Sequence, residues 1–335
     1  MSDERLKVSV MVLARNEARN ILECLGSLAA LRYPRELHEV VVVDNGSTDG
    51  TIELVQEYVK DKPHMRLAEF PRRGISLSRN FGLREARHGN VAFTDADCVV
   101  DPGWLCALEK AFREERAKDP RVIAVGGINV APERTTLFRR AVSAAVLNYW
   151  GNHGSVQGRI PSGRTDVPHL PTLNVLYDRE RVMAEGGFDE RMGNISEDWE
   201  LSCRLLWRGY RLVCDPSAVV RHKWREDPWS WARNIEVYGK GRIWLIKKDA
   251  RFFHPLHLAP LGLVLTTLVS VFVPYLHAVP ALYLALSAMA SVHACFRARK
   301  PLLVPAVFFV YVLTHFAYGI GQVHGLLSRR GSDIA

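Results

Sequence analysis

Two short acidic motifs, far apart in the sequence, indicate the chemistry that this protein could perform. Asp95 and Asp97 follow the apolar run Val91–Phe93, and Glu197 and Asp198 stand at the head of a helical pattern. Two like charges at the end of a buried strand repel each other, and a divalent cation that bridges them to a phosphate relieves that repulsion. A carboxylate on a separate element can then accept a proton. Cation, diphosphate and base together predict group transfer from a nucleotide-activated donor.

The elements that would position these motifs alternate between strand and helix patterns over the first 130 residues. This alternation predicts an α/β fold with a mostly parallel sheet flanked by helices. Ligands of such sheets bind outside the carboxyl ends of the strands. Asp44 ends the predicted strand 39–43, just as Asp95 and Asp97 follow a strand. We therefore expect these aspartates to line one crevice.

The sequence between residues 151 and 221 predicts three further features. Gly151–Pro171 is rich in Gly, Pro and His and predicts a long loop, a type of segment that is often a functional lid. Ser196 is predicted to cap a helix over 197–207. The stretches 211–213 and 218–221 predict two short edge strands.

The C-terminal third of the 335-residue chain has the composition of membrane helices. No Asp, Glu, Lys or Arg occurs in the 45 residues from Phe252 to Phe296, nor in the 28 residues from Pro301 to Ser328. A membrane span needs roughly 20 apolar residues. We expect spans at about 256–275, 278–296 and 301–323. A buried soluble core is the alternative, although soluble cores seldom continue so long without a charge.

The formal net charge is +8, and much of the excess precedes the first expected span. Nine Lys and Arg residues against four Asp and Glu residues lie between Arg221 and Arg251. A basic band beside a span favours the cytoplasmic, anionic-lipid side of a membrane over nucleic acid as a partner. Trp229–Lys248 mixes aromatic and basic residues, which predicts an amphipathic helix with its aromatic residues anchored in the membrane interface.

The domain plan that follows is a catalytic domain over 1–225, a basic interface helix over 226–254 and a membrane region over 255–328. The N-terminus, Met1–Arg5, is polar and no signal peptide is visible, so we expect the catalytic domain on the cytoplasmic face of the inner membrane. The six cysteines show no zinc-type spacing and are interpreted as reduced packing residues.

Six motifs, in this order, resemble those of the family 2 glycosyltransferases, which have the GT-A fold. The matching segments are Ser9–Glu17, Val43–Thr51, Gly74 with Ser78–Gly82, Asp95–Asp97, Gly186–Glu190 and Glu197–Leu201. The C-terminal spans resemble those of membrane-anchored bacterial members that build exopolysaccharide or lipid-linked glycans. Tyr238–Arg242 resembles a segment that some members place beside the mouth of the active site.

The resemblance implies a role for each matching position. The residues that would bind the nucleotide sugar are Ala14, Arg15, Glu17, Asp44, Asn45, Ser47, Gly74, Arg79, Asn80, Asp95 and Ala96. The residues that would hold Mg²⁺ or Mn²⁺ are Asp97, Asp95 and His222. The residues of the catalytic motif are Asp198, as the base that deprotonates the acceptor, and Glu197. On the acceptor side, the candidates would be Trp199 and Arg242 from the matching segments, and Asn174 from its place in a predicted strand.

The expected reaction is an inverting, metal-dependent transfer of one sugar, from a donor that family likeness favours as a UDP-sugar, to a membrane-associated acceptor. A single base opposite the leaving group gives in-line displacement without a second nucleophile. Processive synthases carry a Gln-x-x-Arg-Trp motif that this sequence lacks, which favours single transfer. The acceptor is expected to be a polyprenyl-diphosphate-linked glycan, and polyprenyl phosphate itself is the alternative.

The sequence alone leaves less specific interpretations of these residues open. Asp44 could cap the following turn, Arg79 and Asn80 could support helix packing, and Asn174 could satisfy a strand end. Haloacid-dehalogenase phosphatases also place an Asp-x-Asp after an apolar strand, although usually after the first one. A membrane scaffold that binds nucleotide sugars without turning them over is the non-enzymatic alternative.

Overall fold

The computed structural model of the protein describes residues 5–132, 136–146, 148–152 and 161–328. These residues divide into two compact units, one from 5–130 and 161–223 and the other from the described parts of 131–159 and 224–333. Residues 153–160 of the predicted loop Gly151–Pro171 lie outside the described residues.

The first unit contains one mixed sheet of nine strands, counted over the described residues. The strands are β1 (Val8–Ala14), β2 (His38–Asp44), β3 (Met65–Glu69), β4 (Asn90–Asp95), β5 (Cys98–Val100), β6 (Val122–Val130), β7 (Thr165–Asp166), β8 (Val175–Asp178) and β9 (Arg211–His222). Their order is β3-β2-β1-β4-β8-β6-β9-β5, and β7 pairs with β9. The α/β class is confirmed, but the sheet is mixed and not mostly parallel, because β8, β5 and β7 pair antiparallel with their neighbours.

Twelve helices accompany the sheet in the described residues. They are α1 (Ile21–Ala29), α2 (Thr51–Val59), α3 (Ile75–Glu85), α4 (Trp104–Lys118), α5 (Leu137–Ala145), α6 (Tyr149–Asn152), α7 (Arg179–Ala184), α8 (Glu197–Trp207), α9 (Pro228–Lys248), α10 (Ala259–Ser270), α11 (Ala278–Arg297) and α12 (Val304–Leu327). The helices α1–α4, α7 and α8 belong to the first unit, and the others belong to the second.

The parallel part of the sheet brings the motif-bearing strand ends together. All seven residues of β2 are buried, and Val40–Val43 form a continuous apolar run, as in strands that are covered on both faces. In the register of β1 with its neighbours, Ala14 pairs with Asp44 and Leu13 pairs with Asp95. Asp44 and Asp95 therefore end the two strands that flank β1. Both lie at the carboxyl ends of these parallel strands, as expected from the sequence.

The C-terminal strand of the first unit differs from the prediction. The stretches 211–213 and 218–221 are parts of one strand, β9, which lies between β6 and β5 and not at an edge. The register with β6 shifts between Gly126 and Ile128, whose partners are Cys214 and Val219. This irregularity interrupts the alternating pattern, which is why the sequence indicates two separate strands.

The membrane-like segments of the second unit also differ from the prediction in one place. The helical segments Pro274–Arg297 and Pro301–Leu327 are long and apolar enough to span a membrane. The expected span 256–275 overlaps the shorter apolar helical segment Pro255–Ser270, in which the 12 residues of α10 reach, at 1.5 Å per residue, about 18 Å of the roughly 30 Å required. Val273, the residue before Pro274, has φ of −129° and ψ of +85°, because proline disfavours helical geometry in the residue that precedes it.

Helix α9 forms where the amphipathic pattern predicted it, but two of its tryptophans pack against α12. Trp231 Nε1 donates to Thr314 Oγ1 at 2.9 Å, and Trp244 Nε1 donates to Ser328 Oγ at 3.1 Å. Trp229, by contrast, is 67% exposed. The interpretation of the aromatic residues as interface anchors is therefore wrong for the two buried tryptophans, whose rings serve helix packing.

Glycines bring the backbones of α9 and α12 into direct contact. A Cβ atom on Gly239 would lie 2.0 Å from the Tyr318 carbonyl oxygen, and one on Gly321 would lie 2.0 Å from the Glu236 carbonyl oxygen. Small residues permit such close approach between helices in membranes. Gly239, in the segment Tyr238–Arg242, thus has a role in helix packing.

Replacing Gly321 by alanine is expected to destabilise the second unit, because the added methyl group meets backbone that cannot move aside. Overpacking of this kind costs about 1–3 kcal/mol, and we expect a lower melting temperature for the purified full-length chain in detergent. Gly262→Ala in α10 is the matched control, since a Cβ there meets nothing within 4 Å. Helical alanine is intrinsically better than glycine by about 0.5–1 kcal/mol, so the control should melt no lower than wild type. Equal losses in both variants would contradict the packing role.

Candidate active site

The turn after β2 is ordered by Asp44. Its Oδ1 accepts hydrogen bonds from the Gly46 N–H at 2.9 Å and the Ser47 N–H at 2.8 Å, and its Oδ2 accepts from the Ser47 hydroxyl at 2.6 Å. These bonds match the capping interpretation of Asp44. The neighbouring Asn45 is buried, and within the described residues its Oδ1 has no hydrogen-bond partner. A buried amide oxygen without a partner is suited to accept from a ligand.

The segment after β1 is fastened to the same turn. The Ala14 carbonyl accepts from the Asn45 N–H at 3.0 Å, and the Glu17 N–H donates to Thr51 Oγ1 at 2.9 Å. Arg15 is exposed, and Glu17 is partly buried and accepts from the Asn20 amide at 2.7 Å. The structure therefore brings together the predicted donor residues of the first two motifs.

A possible metal centre lies where β5 and β9 pair. Asp97 Oδ2 and His222 Nε2 are 3.5 Å apart, and the Cys98 Sγ lies 3.6 Å from Asp97 Oδ1. Burial, followed by the charges of Asp97 and Asp95, raises the pKa of the Cys98 thiol well above its usual value, so the thiol stays protonated and is a poor ligand. A carboxylate and an imidazole are suitable donors for a divalent cation, so the Asp97–His222 pair fits one.

Asp95 faces a different partner from Asp97. Its Oδ1 lies 3.7 Å from Arg79 Nη2, and it is not part of the donor cluster of Asp97, Cys98 and His222. Burial raises the pKa of Asp95, Arg79 opposes that shift and Asp97 adds to it. The geometry thus gives Asp95 a contact with Arg79, and its ligation of the metal stays a prediction.

The guanidinium of Arg79 joins the two acidic motifs. Arg79 projects from α3, is buried, and forms an ion pair through Nη1 with Glu197 Oε1 besides its approach to Asp95. Burial disfavours the charged guanidinium, but the charges of Glu197, Asp95 and Asp198 outweigh it and raise the pKa of Arg79. Arg79 thus holds the two carboxylates in place, and its contact with the nucleotide sugar stays a prediction.

The two carboxylates at the head of α8 have different environments. Burial raises the pKa of Glu197 to about 7 against the opposing charge of Arg79. Burial would also raise the pKa of Asp198, but the charge of His169, followed by Arg79, outweighs it and lowers the pKa. Asp198 is also the more exposed of the two side chains, at 26% against 7%. Asp198 therefore has the ionisation state and the access that a general base requires.

The start of α8 is as predicted, but its cap is not. The helix begins at Glu197, and Ser196 has φ of +56° and makes no capping hydrogen bond with its side chain in the described residues. The predicted Ser196 cap is therefore wrong. The first turn is instead occupied by Glu197, Asp198 and Glu200, whose negative charges are favourable at the N-terminus of a helix.

Two predicted contact residues are used for packing. Asn80 donates to the Phe188 carbonyl at 2.9 Å and accepts from the Phe188 N–H at 2.8 Å, which fastens α3 to the Gly186–Glu190 loop. Asn174 is completely buried, accepts from Trp104 Nε1 at 2.8 Å and donates to the Ala218 carbonyl at 3.1 Å. The structure thus gives both amides partners within the protein, and the donor role of Asn80 and the acceptor role of Asn174 stay predictions.

The other predicted residues have varied surroundings. Gly74 has φ of +136° just before α3, a conformation that favours glycine, and Ala96 is buried with its N–H donating to the Leu13 carbonyl at 3.1 Å. Trp199 lies beside the candidate base. Arg242 lies on α9 in the second unit, where its Nε donates to the Tyr318 hydroxyl at 3.3 Å.

Sequence reasoning missed His169, which contacts the candidate base. His169 Nε2 lies 3.2 Å from Asp198 Oδ2, and its ring packs on Trp199 with 4.6 Å between ring centroids. Its only sequence signal is its place in the loop Gly151–Pro171, whose length predicted a functional role. No spacing to another motif singles it out.

The family follows from sequence comparison. The sequence model of Glycosyl transferase family 2 matches residues 9–182, which is more than half of the chain. The chain therefore belongs to glycosyl transferase family 2 and is a glycosyltransferase. This membership removes the haloacid-dehalogenase alternative, and the two long apolar helices indicate association with a membrane.

Two curated relatives share parts of this sequence. The dolichyl N-acetyl-alpha-D-glucosaminyl phosphate 3-beta-D-2,3-diacetamido-2,3-dideoxy-beta-D-glucuronosyltransferase of Methanococcus voltae is 20% identical over 331 residues, which cover 96% of this chain and 97% of that protein. The poly-beta-1,6-N-acetyl-D-glucosamine synthase of Staphylococcus aureus is 24% identical over 220 residues, which cover 65% of this chain and 50% of that protein. The match thus spans only half the length of the synthase.

A solved structure shows the same fold. The mannosyltransferase PcManGT from Pyrobaculum calidifontis, determined in complex with GDP-Man and Mn2+, aligns with a TM-score of 0.62 and 22% identity, over 97% of this chain and 88% of that one. At this identity the likeness supports the GT-A fold.

Arg79→Gln is expected to destabilise the first unit, because the buried Glu197 and the partly exposed Asp95 would then lack their cation. Removing one partner of a buried ion pair costs about 3–5 kcal/mol, which should lower the melting temperature of the purified chain markedly. Arg84→Gln, on the exposed face of the same helix, is the control and should melt near wild type. Adding Glu197→Gln to Arg79→Gln should recover part of the loss. Equal melting temperatures for the two arginine variants would refute the structural role of Arg79.

Proposed function

We propose that this protein transfers one sugar from a nucleotide-sugar donor to a hydroxyl group of a membrane-associated acceptor, with inversion at the anomeric carbon. The observation that carries the proposal is the set of contacts around Arg79. Asp95 and Glu197 neutralise this buried cation, while Asp97 is paired with His222 and Asp198 stays accessible. One carboxylate is thus available for the metal and another for the proton.

On the donor side, the turns after β1 and β2 would hold the nucleoside. Asn45 Oδ1 and the exposed Arg15 are the groups best suited to contact it, while Asp44 keeps the turn in shape. Asp97 and His222 would hold a divalent cation, Mg²⁺ or Mn²⁺, and such an ion neutralises the charge that develops on a leaving diphosphate. The donor is expected to be a UDP-sugar, and GDP-mannose is the alternative suggested by the ligand of the Pyrobaculum enzyme.

On the acceptor side, Asp198 would act as the general base. The acceptor hydroxyl loses its proton to an Asp198 oxygen, its own oxygen forms the new bond to the anomeric carbon, and the sugar–phosphate bond breaks towards the nucleoside diphosphate. A positioned base contributes about 10²–10⁴-fold in rate. Attack on the side opposite the leaving group inverts the configuration. No second nucleophile enters this scheme, and one sugar is transferred per encounter.

The acceptor is proposed to be a sugar hydroxyl on a polyprenyl-diphosphate-linked glycan. The Methanococcus relative, which matches almost the whole chain, is named for transfer to a sugar carried on dolichyl phosphate. A sugar hydroxyl needs a base, which agrees with the environment of Asp198, whereas a bare polyprenyl phosphate is already an anionic nucleophile. The basic residues around α9 support a catalytic unit on the cytoplasmic face of the membrane. Transfer to bare polyprenyl phosphate is the competing outcome.

A panel of UDP-glucose, UDP-N-acetylglucosamine and GDP-mannose, each with Mn²⁺ or Mg²⁺, should identify the donor by thermal stabilisation. A ligand at 100 times its Kd stabilises the folded state by about 2.7 kcal/mol, so the true donor should raise the melting temperature by several degrees. EDTA or Asp97→Asn should abolish the metal-dependent part of this shift. Donor binding that is unaffected by either treatment would argue against the metal centre.

Asp198→Asn should separate donor binding from catalysis. The amide cannot accept a proton, so we expect unchanged stabilisation by donor and metal, but a fall in turnover of about 10²–10⁴-fold. The measurement is metal-dependent release of sugar from the donor in the panel above, with and without a lipid-linked acceptor. Wild-type turnover in the variant would remove Asp198 from the mechanism. No turnover in either protein, with donor binding retained, would favour the scaffold alternative.

A further inference from the structure

The loop before β8 places a buried histidine against the candidate base. His169 is 5% exposed, and its Nε2 lies 3.2 Å from Asp198 Oδ2. Asp198 Oδ1 accepts from the Trp199 N–H at 2.7 Å. One oxygen of the carboxylate is therefore fixed by the backbone, and the other faces the imidazole. Two such contacts on opposite oxygens define the plane of the carboxylate.

The imidazole is itself held by the helix that carries the base. Its ring lies on the Trp199 ring at a centroid distance of 4.6 Å and an interplanar angle of 33°. The next residue, Leu170, donates its N–H to Ser202 Oγ at 3.3 Å, one turn further along α8. The Val167 N–H donates to the Leu212 carbonyl at 3.0 Å, which ties the same loop to β9. His169 is thus fixed both in its ring and in its backbone.

The surroundings of His169 leave Asp198 as its main polar contact. Both ring nitrogens are buried, and within the described residues neither makes a well-aligned hydrogen bond. Over the same residues, Asp198 is the carboxylate within ion-pair distance of the ring. A buried imidazole with no other partner is costly to retain. A ligand or transition state that tightens the contact with the carboxylate would relieve this cost.

We propose that His169 is a positioning residue for the base: it orients the Asp198 carboxylate towards the acceptor hydroxyl. This inference rests on the proposed role of Asp198 and adds a residue that lies outside all the motifs. The proton still moves from the acceptor hydroxyl to Asp198, and His169 fixes the oxygen that receives it. The packing of His169 on Trp199 couples the orientation of the base to the side chain next to the acceptor.

The pH dependence of turnover distinguishes this role from simple packing. The other charged or titratable groups facing Asp198 are Arg79, Glu197, Asp95 and Tyr177. The charge of His169 opposes burial and lowers the pKa of Asp198. Without the imidazole the base should be protonated at a higher pH, so the acid limb of the rate profile should move upwards.

The test compares His169→Ala, His169→Gln and His38→Ala in the full-length chain. The assay is metal-dependent sugar release from UDP-glucose, UDP-N-acetylglucosamine and GDP-mannose, measured as kcat, KM and pH profile. We expect His169→Ala to lower kcat about 10- to 100-fold, the size of effect that misplacement of a catalytic group produces, to leave the donor KM unchanged and to raise the pH of the acid limb. His169→Gln keeps a donor near the Nε2 position and should recover part of kcat.

His38→Ala is the matched control, because His38 is also 5% exposed and lies at the start of β2, away from the motif-bearing strand ends. It should lower the melting temperature without moving the pH profile. If His169→Ala keeps the wild-type kcat and acid limb while Asp198→Asn is inactive, the inference about His169 fails and the proposed function stands. Loss of kcat with an unmoved acid limb and no recovery in His169→Gln would reduce His169 to a packing residue. Wild-type turnover in Asp198→Asn would overturn both.

Discussion

The ion pairs of the buried Arg79 guanidinium are the contacts on which the arrangement of the site depends. Arg79 comes from α3, Glu197 from the head of α8 and Asp95 from the end of β4, so three separate elements meet at one cation. A buried charge without a partner costs several kcal/mol, about 3–5 when one partner of a pair is removed. Each acidic motif therefore helps to stabilise the other, and the two motifs form a single electrostatic unit.

This unit divides the carboxylates into two kinds. Asp95 and Glu197 face the cation, and the environment raises the pKa of both. Asp97 and Asp198 lie beside histidines, His222 and His169, and keep partial access to solvent. The pair that faces Arg79 maintains the geometry, and the pair beside the histidines is left for chemistry. A site with four carboxylates is stable because two of them face Arg79 and each of the other two lies beside a histidine.

The sequence was sufficient for features that depend on local pattern and insufficient for those that depend on distant partners. The alternating strands and helices predicted that Asp44 and Asp95 would share one edge of the sheet, because parallel strands present their carboxyl ends together. The packing roles of Asn80 and Asn174 require partners that lie 108 and 70 residues away in the sequence, respectively, which no local pattern indicates. His169 carries no motif, and its role depends on how the loop folds back onto α8.

The pairing of Cys98 with His222 across β5 and β9 restricts where residues can be inserted or deleted in β9. Side chains alternate along a strand, so one residue inserted between Ala218 and His222 would turn the imidazole to the opposite face of the sheet. Two inserted residues would restore the face but carry the ring about 7 Å along the strand. Asp215–Ser217 lie where the register with β6 is interrupted. Among related sequences, insertions and deletions should therefore accumulate at Asp215–Ser217 and be absent from residues 218–222.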